Sequence, residues 1–125
     1  MAQTITLPDG TILPALGVGT WNMGDSTARR GEEIASLRYA VEQGVQVVDT
    51  AEMYGNGRSE NLVGEAIAPM REQVFLVSKV LPTNASAKGV GQSCRRSLRH
   101  LGTDRLDLYL LHWRGSVPLA ETVEA

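Results

Sequence analysis

The chain has one cysteine, no cluster of one charge sign and no long apolar run, and each shortage removes a class of protein. A lone Cys94 excludes an internal disulfide and fits a reducing compartment. Its helical spacing with Leu98 and Leu101 argues for a buried thiol over a reactive one. Twelve basic and 14 acidic residues leave a net charge of -2 with no long run of either sign, so neither nucleic acid nor an anionic membrane is an expected partner. No stretch reaches the length of a membrane span, and the start Met1-Ala2-Gln3-Thr4 has no basic segment followed by an apolar core. A cytoplasmic protein is expected.

Two kinds of site are also missing. Gly17-Val18-Gly19, Gly55-Asn56-Gly57 and Gly89-Val90-Gly91 are followed by Asn22, Glu60 and Cys94 where a dinucleotide fingerprint needs its third glycine, which disfavours a Rossmann domain. His100 and His112 lie twelve residues apart, and Cys94 has no Cys or His at ligand spacing; no metal is expected. There is no linker, low-complexity segment or repeat.

What is present is an ordinary globular composition, 42% hydrophobic and 21% charged, sufficient for a buried core. The residues flanking Pro8-Asp9-Gly10 are β-branched on both sides, which predicts a hairpin around that turn. Ala15 to Gly19 reads as a crowded first strand delivering Thr20 and Trp21 into a loop. Glu32 and Glu33 open a helix with an Ile34, Leu37, Val41 face, stopped at Gly44. Val45 to Asp49 is a β-rich run without clean alternation, as expected of a parallel strand buried on both faces. Ser59 is expected to cap a helix carrying Leu62, Val63, Ala66 and Ile67, with Pro69 beyond it. Val74 to Lys79 is the next strand, followed by a helix with Val90, Cys94, Leu98 and Leu101 on one face and Gly102 as terminator. Leu106 to His112 is the last strand, and Pro118 opens a further helix. Alternation of this kind predicts parallel β/α architecture, as a barrel or an open doubly wound sheet.

Three strand-like runs end on ionisable residues: Asp49, Lys79 and His112. Tyr54 lies five residues past the first. A parallel β/α barrel gathers its chemistry at the carboxyl ends of its strands, so these side chains are expected to meet in one site. Reducing a carbonyl needs hydride on carbon, a proton on oxygen and stabilisation of the developing oxyanion. Tyr54 is the candidate proton donor, and a phenol releases its proton more readily beside a cation such as Lys79. Asp49 is the natural counter-ion for that lysine, and His112 can orient the carbonyl oxygen. Trp21 and Trp113 follow strand ends and are candidates for the walls of a substrate pocket, or equally for core packing or a surface lid. Two other readings remain open at this level: a Schiff-base nucleophile at Lys79 in an aldolase-like barrel, and a non-catalytic protein that senses a nicotinamide nucleotide or contacts another subunit.

The segments Gly19-Thr20-Trp21, Asp49-Thr50-Ala51-Glu52-Met53-Tyr54-Gly55, Ser59-Glu60 with Gly64-Glu65-Ala66-Ile67, Val77-Ser78-Lys79 and Leu111-His112-Trp113 resemble, in order, the amino-terminal half of an aldo-keto reductase. The resemblance implies an α/β fold, the first half of a (β/α)₈ TIM barrel preceded by a β-hairpin, with residues 1–125 as a single incomplete domain. It implies NADPH-dependent reduction of aldehydes and ketones by Asp49, Tyr54, Lys79 and His112. Thr20, Trp21 and Asp49 are then expected near the cofactor, and Trp21, Tyr54, His112 and Trp113 near the substrate. Arg114 stands where many members carry proline. Most of the family's cofactor-holding residues follow the fourth barrel strand, so these 125 residues alone are expected to be an inactive fragment. A half barrel exposes two sheet edges and an apolar face, and self-association is expected of it.

Overall fold

The computed structural model describes residues 3–125; Met1 and Ala2, half of the start read above for a leader, lie outside them. The chain opens with β1 (Thr4–Thr6) and β2 (Ile12–Pro14), paired antiparallel with Ile5 opposite Leu13. Their turn has the chemistry its residues supply: Asp9 Oδ1 accepts a bond from Thr11 N at 2.9 Å, and Gly10 takes φ +89°.

Then come β3 (Gly17–Gly19), α1 (Arg30–Glu42), β4 (Val47–Asp49), α2 (Arg58–Ile67), β5 (Phe75–Val80), α3 (Ala87–Leu101), β6 (Leu108–Leu111) and α4 (Leu119–Glu124). The four strands β3 to β6 form one parallel sheet in sequence order. An unreversed order, with a helix between successive strands, is the arrangement of a barrel wall; a doubly wound sheet reverses its order at a switch point.

The register sorts the side chains by face. Val18, Val48 and Leu76 lie side by side, as do Gly19, Asp49 and Val77, while Lys79 stands beside Leu110. Alternation along each strand therefore puts Val48, Leu76, Ser78 and Tyr109 on one face and Asp49, Val77, Lys79, Leu108 and Leu110 on the other. The first face packs on the helices. Val48 and Leu76 join Ile34, Leu37 and Val41 of α1, Leu62, Val63, Ala66 and Ile67 of α2, and Leu101 of α3 in one core. Gly64 permits a close approach of α2 to α3, since a Cβ there would stand 2.4 Å from Leu101 O.

Several local expectations are corrected. Ser59 does not cap α2: Gly57, at φ +95°, occupies the cap position, and the Ser59 hydroxyl turns inward, 2.9 Å from both Thr20 O and Thr20 Oγ1. In α3 the fully buried line is Ser93, Ser97 and Leu101, where the small serines let the helix lie close to α2. Val90, Cys94 and Leu98 are only partly covered, the first two bordering an open pocket against β6 and α4. Cys94 is thus a half-buried thiol, and that burial still pushes its pKa up. Strand β4 starts at Val47 and not at Val45.

Candidate active site

Three consecutive strand ends and one loop bring the expected side chains together. Asp49 is the last residue of β4 and Lys79 the penultimate residue of β5, both on the face turned away from the helices. His112 follows β6 directly, its amide donating to Val80 O at 3.0 Å. Tyr54 enters from the loop 50–57 between β4 and α2. That loop turns sharply, with Gly55, Asn56 and Gly57 all at positive φ.

Lys79 is the hub. Its Nζ donates to Asp49 Oδ1 and Oδ2, each at 2.8 Å, to Thr50 O at 2.8 Å and to Tyr54 Oη at 3.4 Å. The ammonium also lies 5.1 Å from the centre of the Tyr54 ring, within cation–π range. The lysine side chain is only 13% exposed against 37% for the Asp49 side chain, so the cation is shielded while its counter-ion meets solvent. All three ammonium hydrogens have acceptors, and the nitrogen presents no free lone pair to an incoming carbonyl. That arrangement disfavours the Schiff-base reading.

His112 packs edge-on against Tyr54, ring centres 5.8 Å apart, and against Trp113 at 4.7 Å. Burial, and secondarily the Lys79 charge, hold its pKa below the usual imidazole range. His112 Nδ1 is buried without a hydrogen-bond partner among the described residues. An orphaned acceptor there is more tolerable than an orphaned N–H, which assigns the proton of the neutral ring to Nε2.

Behind the site lies a fully buried hydroxyl chain. Thr20 Oγ1 donates to Asp49 O at 2.9 Å, and Ser59 Oγ in turn contacts Thr20 and, at 3.3 Å, Thr50 Oγ1. The Thr20 side chain, expected at the cofactor, has no exposed surface; it reaches the site through the backbone of Asp49. Trp21 and Trp113 are 70% and 50% exposed, so neither belongs to the core. Sequence reasoning overlooked two buried carboxylates beside the tyrosine loop, Glu52 and Glu60, and their partners Arg96 and His100. The only signal for them was Glu52 and Glu60 flanking Tyr54, with Arg96 and His100 one helical turn apart. Among the described residues no cluster of three metal-ligating side chains occurs.

Fold and site together define a class: a parallel β/α barrel wall carrying Asp49, Lys79, Tyr54 and His112 gathered at its strand ends. The family model for the aldo/keto reductase family matches residues 15–125. Methylglyoxal reductase YeaE of Escherichia coli is 54% identical over 113 residues, covering 90% of this chain and 40% of that protein. Aldo-keto reductase YhdN of Bacillus subtilis is 35% identical over 138 residues, covering 99% of this chain and 42% of that protein. The crystal structure of an aldo/keto reductase from Klebsiella pneumoniae in complex with NADP and acetate superposes with a TM-score of 0.94 at 48% identity, over 99% of this chain and 44% of that one. This chain belongs to the aldo/keto reductase family, and its fold is that of the amino-terminal portion of the family's (β/α)₈ barrel. It spans about two fifths of the length of the curated relatives it matches.

Proposed function

We propose that this chain supplies the acid-catalytic half of an NADPH-dependent reductase of small aldehydes and ketones. The observation that carries the reading is the Lys79 ammonium, held by both oxygens of Asp49 at 2.8 Å and placed 3.4 Å from the Tyr54 phenol. Tyr54 gives its proton to the carbonyl oxygen as that oxygen gains charge. Lys79 stabilises the phenolate left behind, and Asp49 holds Lys79 in place. Neutral His112 donates from Nε2 to the carbonyl oxygen, orienting it toward Tyr54. Positioned acid–base groups of this kind accelerate a reaction by about 10²- to 10⁴-fold.

The residues present fit a nicotinamide ring. A Cβ built on Gly19 meets nothing within 4 Å, so the face beside Asp49 is open, and Asp49 and Trp21 have surface to offer it. NADPH, when bound, supplies the hydride. Trp21 and Asp49 would border its nicotinamide end, with Thr20 fixing Asp49 from below. Trp21, Tyr54, His112 and Trp113 would enclose the substrate, whose carbonyl oxygen lies between the phenol and the imidazole. In this reading residues 1–125 form one continuous portion of a single barrel domain and do not turn over by themselves.

The relative named for methylglyoxal reduction makes a 2-oxoaldehyde the first substrate to test. A complete barrel carrying this sequence is expected to oxidise NADPH when methylglyoxal is added, followed by absorbance at 340 nm. Tight NADPH binding with no turnover on any aldehyde or ketone would instead support the nucleotide-sensing reading.

A further inference from the structure

We propose that Arg96 and His100 of α3 are positioning residues for Tyr54, acting through the two buried carboxylates that bracket its loop. The inference rests on the proposed role of Tyr54 as proton donor. It concerns side chains that do not face the substrate.

Tyr54 sits in a segment without strand pairing of its own and with successive residues in the left-handed region, Gly55 at φ +57° and Asn56 at φ +52°. Such a loop keeps one conformation only where its surroundings impose it. Two residues before the tyrosine, Glu52 is 6% exposed. Its Oε1 accepts from Leu81 N at 2.9 Å and from Asn84 Nδ2 at 2.8 Å, and its Oε2 accepts from Arg96 at 3.1 Å. Beyond the tyrosine, Glu60 is fully buried; its Oε1 accepts from Ser78 Oγ at 2.8 Å, and its Oε2 lies 3.1 Å from His100 Nδ1. Arg96 and His100 stand four residues apart and so on one helical face. Between the two anchors the loop backbone rests on the imidazole, for a Cβ at Gly57 would come within 2.6 Å of His100 Cε1.

Each carboxylate is tied to the segment that carries Lys79: Ser78 precedes that lysine within β5, and Leu81 is the first residue past the strand's end. The bracket therefore ties the phenol's loop and the ammonium's strand to the same helix. The contact it controls, Lys79 Nζ to Tyr54 Oη at 3.4 Å, is the longest in the hub, and a displacement of about 1 Å in a reacting group lowers turnover about a hundredfold. Arg96, His100, Glu52, Asn56, Leu81 and Asn84 line a polar cavity of about 290 Å³, a space into which the loop can relax once an anchor is lost.

The test uses a complete barrel carrying this sequence and the variants Arg96→Ala, Arg96→Lys, His100→Ala and His100→Gln. Loss of either anchor is expected to speed amide hydrogen exchange across residues 51–57 while leaving β4 and β5 protected. It is also expected to lower kcat for methylglyoxal about ten- to hundredfold, with KM for both substrates within about twofold. His100→Gln and Arg96→Lys, which keep a donor, should restore most of both. Unchanged loop exchange in both alanine variants overturns the proposal, as does a loss of protection spread evenly over the whole barrel. If loop exchange rises as expected but Tyr54→Phe leaves turnover intact, the bracket stands and the donor role of Tyr54 falls.

Discussion

The Lys79 ammonium carries three hydrogens, and Asp49, Thr50 O and the Tyr54 phenol accept all of them. Its charge is therefore fixed in direction as well as in place, and a phenolate formed at Tyr54 would meet it with little rearrangement. His112 contributes in the opposite sense, by staying neutral. Burial and the nearby lysine lower its pKa in the folded molecule, whereas in the unfolded chain it returns to about 6.5. The unfolded chain then takes up a proton that the folded one resists, so stability is complete above about pH 6.5 and falls as pH drops through the lower folded value. Urea unfolding of a complete barrel at pH 7.5 and 5.5 should show this loss, and His112→Gln should shrink it. An equal pH dependence in the variant would mean that His112 is not held neutral by its site.

Among the elements, α2 does most to hold the sheet to its helices. Leu62, Val63 and Ala66 have no exposed surface, and Gly64 brings the α3 backbone into contact. Gly64→Ala would place a methyl group 2.4 Å from Leu101 O, against backbone that cannot swing aside. A loss of about 1 to 3 kcal/mol is expected, read as a lower midpoint in denaturant with an unchanged slope; a neutral substitution would show that α2 and α3 can separate freely. This packing also explains what the sequence could reveal. The hairpin, the α1 face of Ile34, Leu37 and Val41, and the α2 face were legible because turn chemistry and helical period are local. The α3 face was misread because close approach to α2 selects Ser93 and Ser97, small polar residues that an apolar pattern passes over. Asp49, Lys79 and His112 were legible as strand-end residues, since a parallel sheet converts sequence order into spatial order. Glu52 and Glu60 were not, because a carboxylate is normally exposed and their burial depends on Arg96 and His100 roughly forty positions later.

For the whole molecule the consequence is a site that faces open space. Leu108 and Leu110 share the Lys79 face and are 37% and 38% exposed, and among the described residues β3 and β6 each have one unpaired edge. Apolar surface beside free strand edges promotes association. Produced as a 125-residue polypeptide, the chain should sediment as dimers or larger species, and a monodisperse monomer with a cooperative thermal transition would contradict that expectation. Joined to the remaining strands of a barrel, the same face becomes the interior, and the strand ends of β4, β5 and β6 become one side of the mouth in which the proposed reduction takes place. The claim on which this rests is that Tyr54 delivers the proton. The most direct measurement is kcat for NADPH-dependent reduction of methylglyoxal by a complete barrel carrying this sequence, compared with its Tyr54→Phe variant at equal cofactor affinity. The account predicts a fall of about 10²- to 10⁴-fold; a variant that turns over at the parent rate would contradict it.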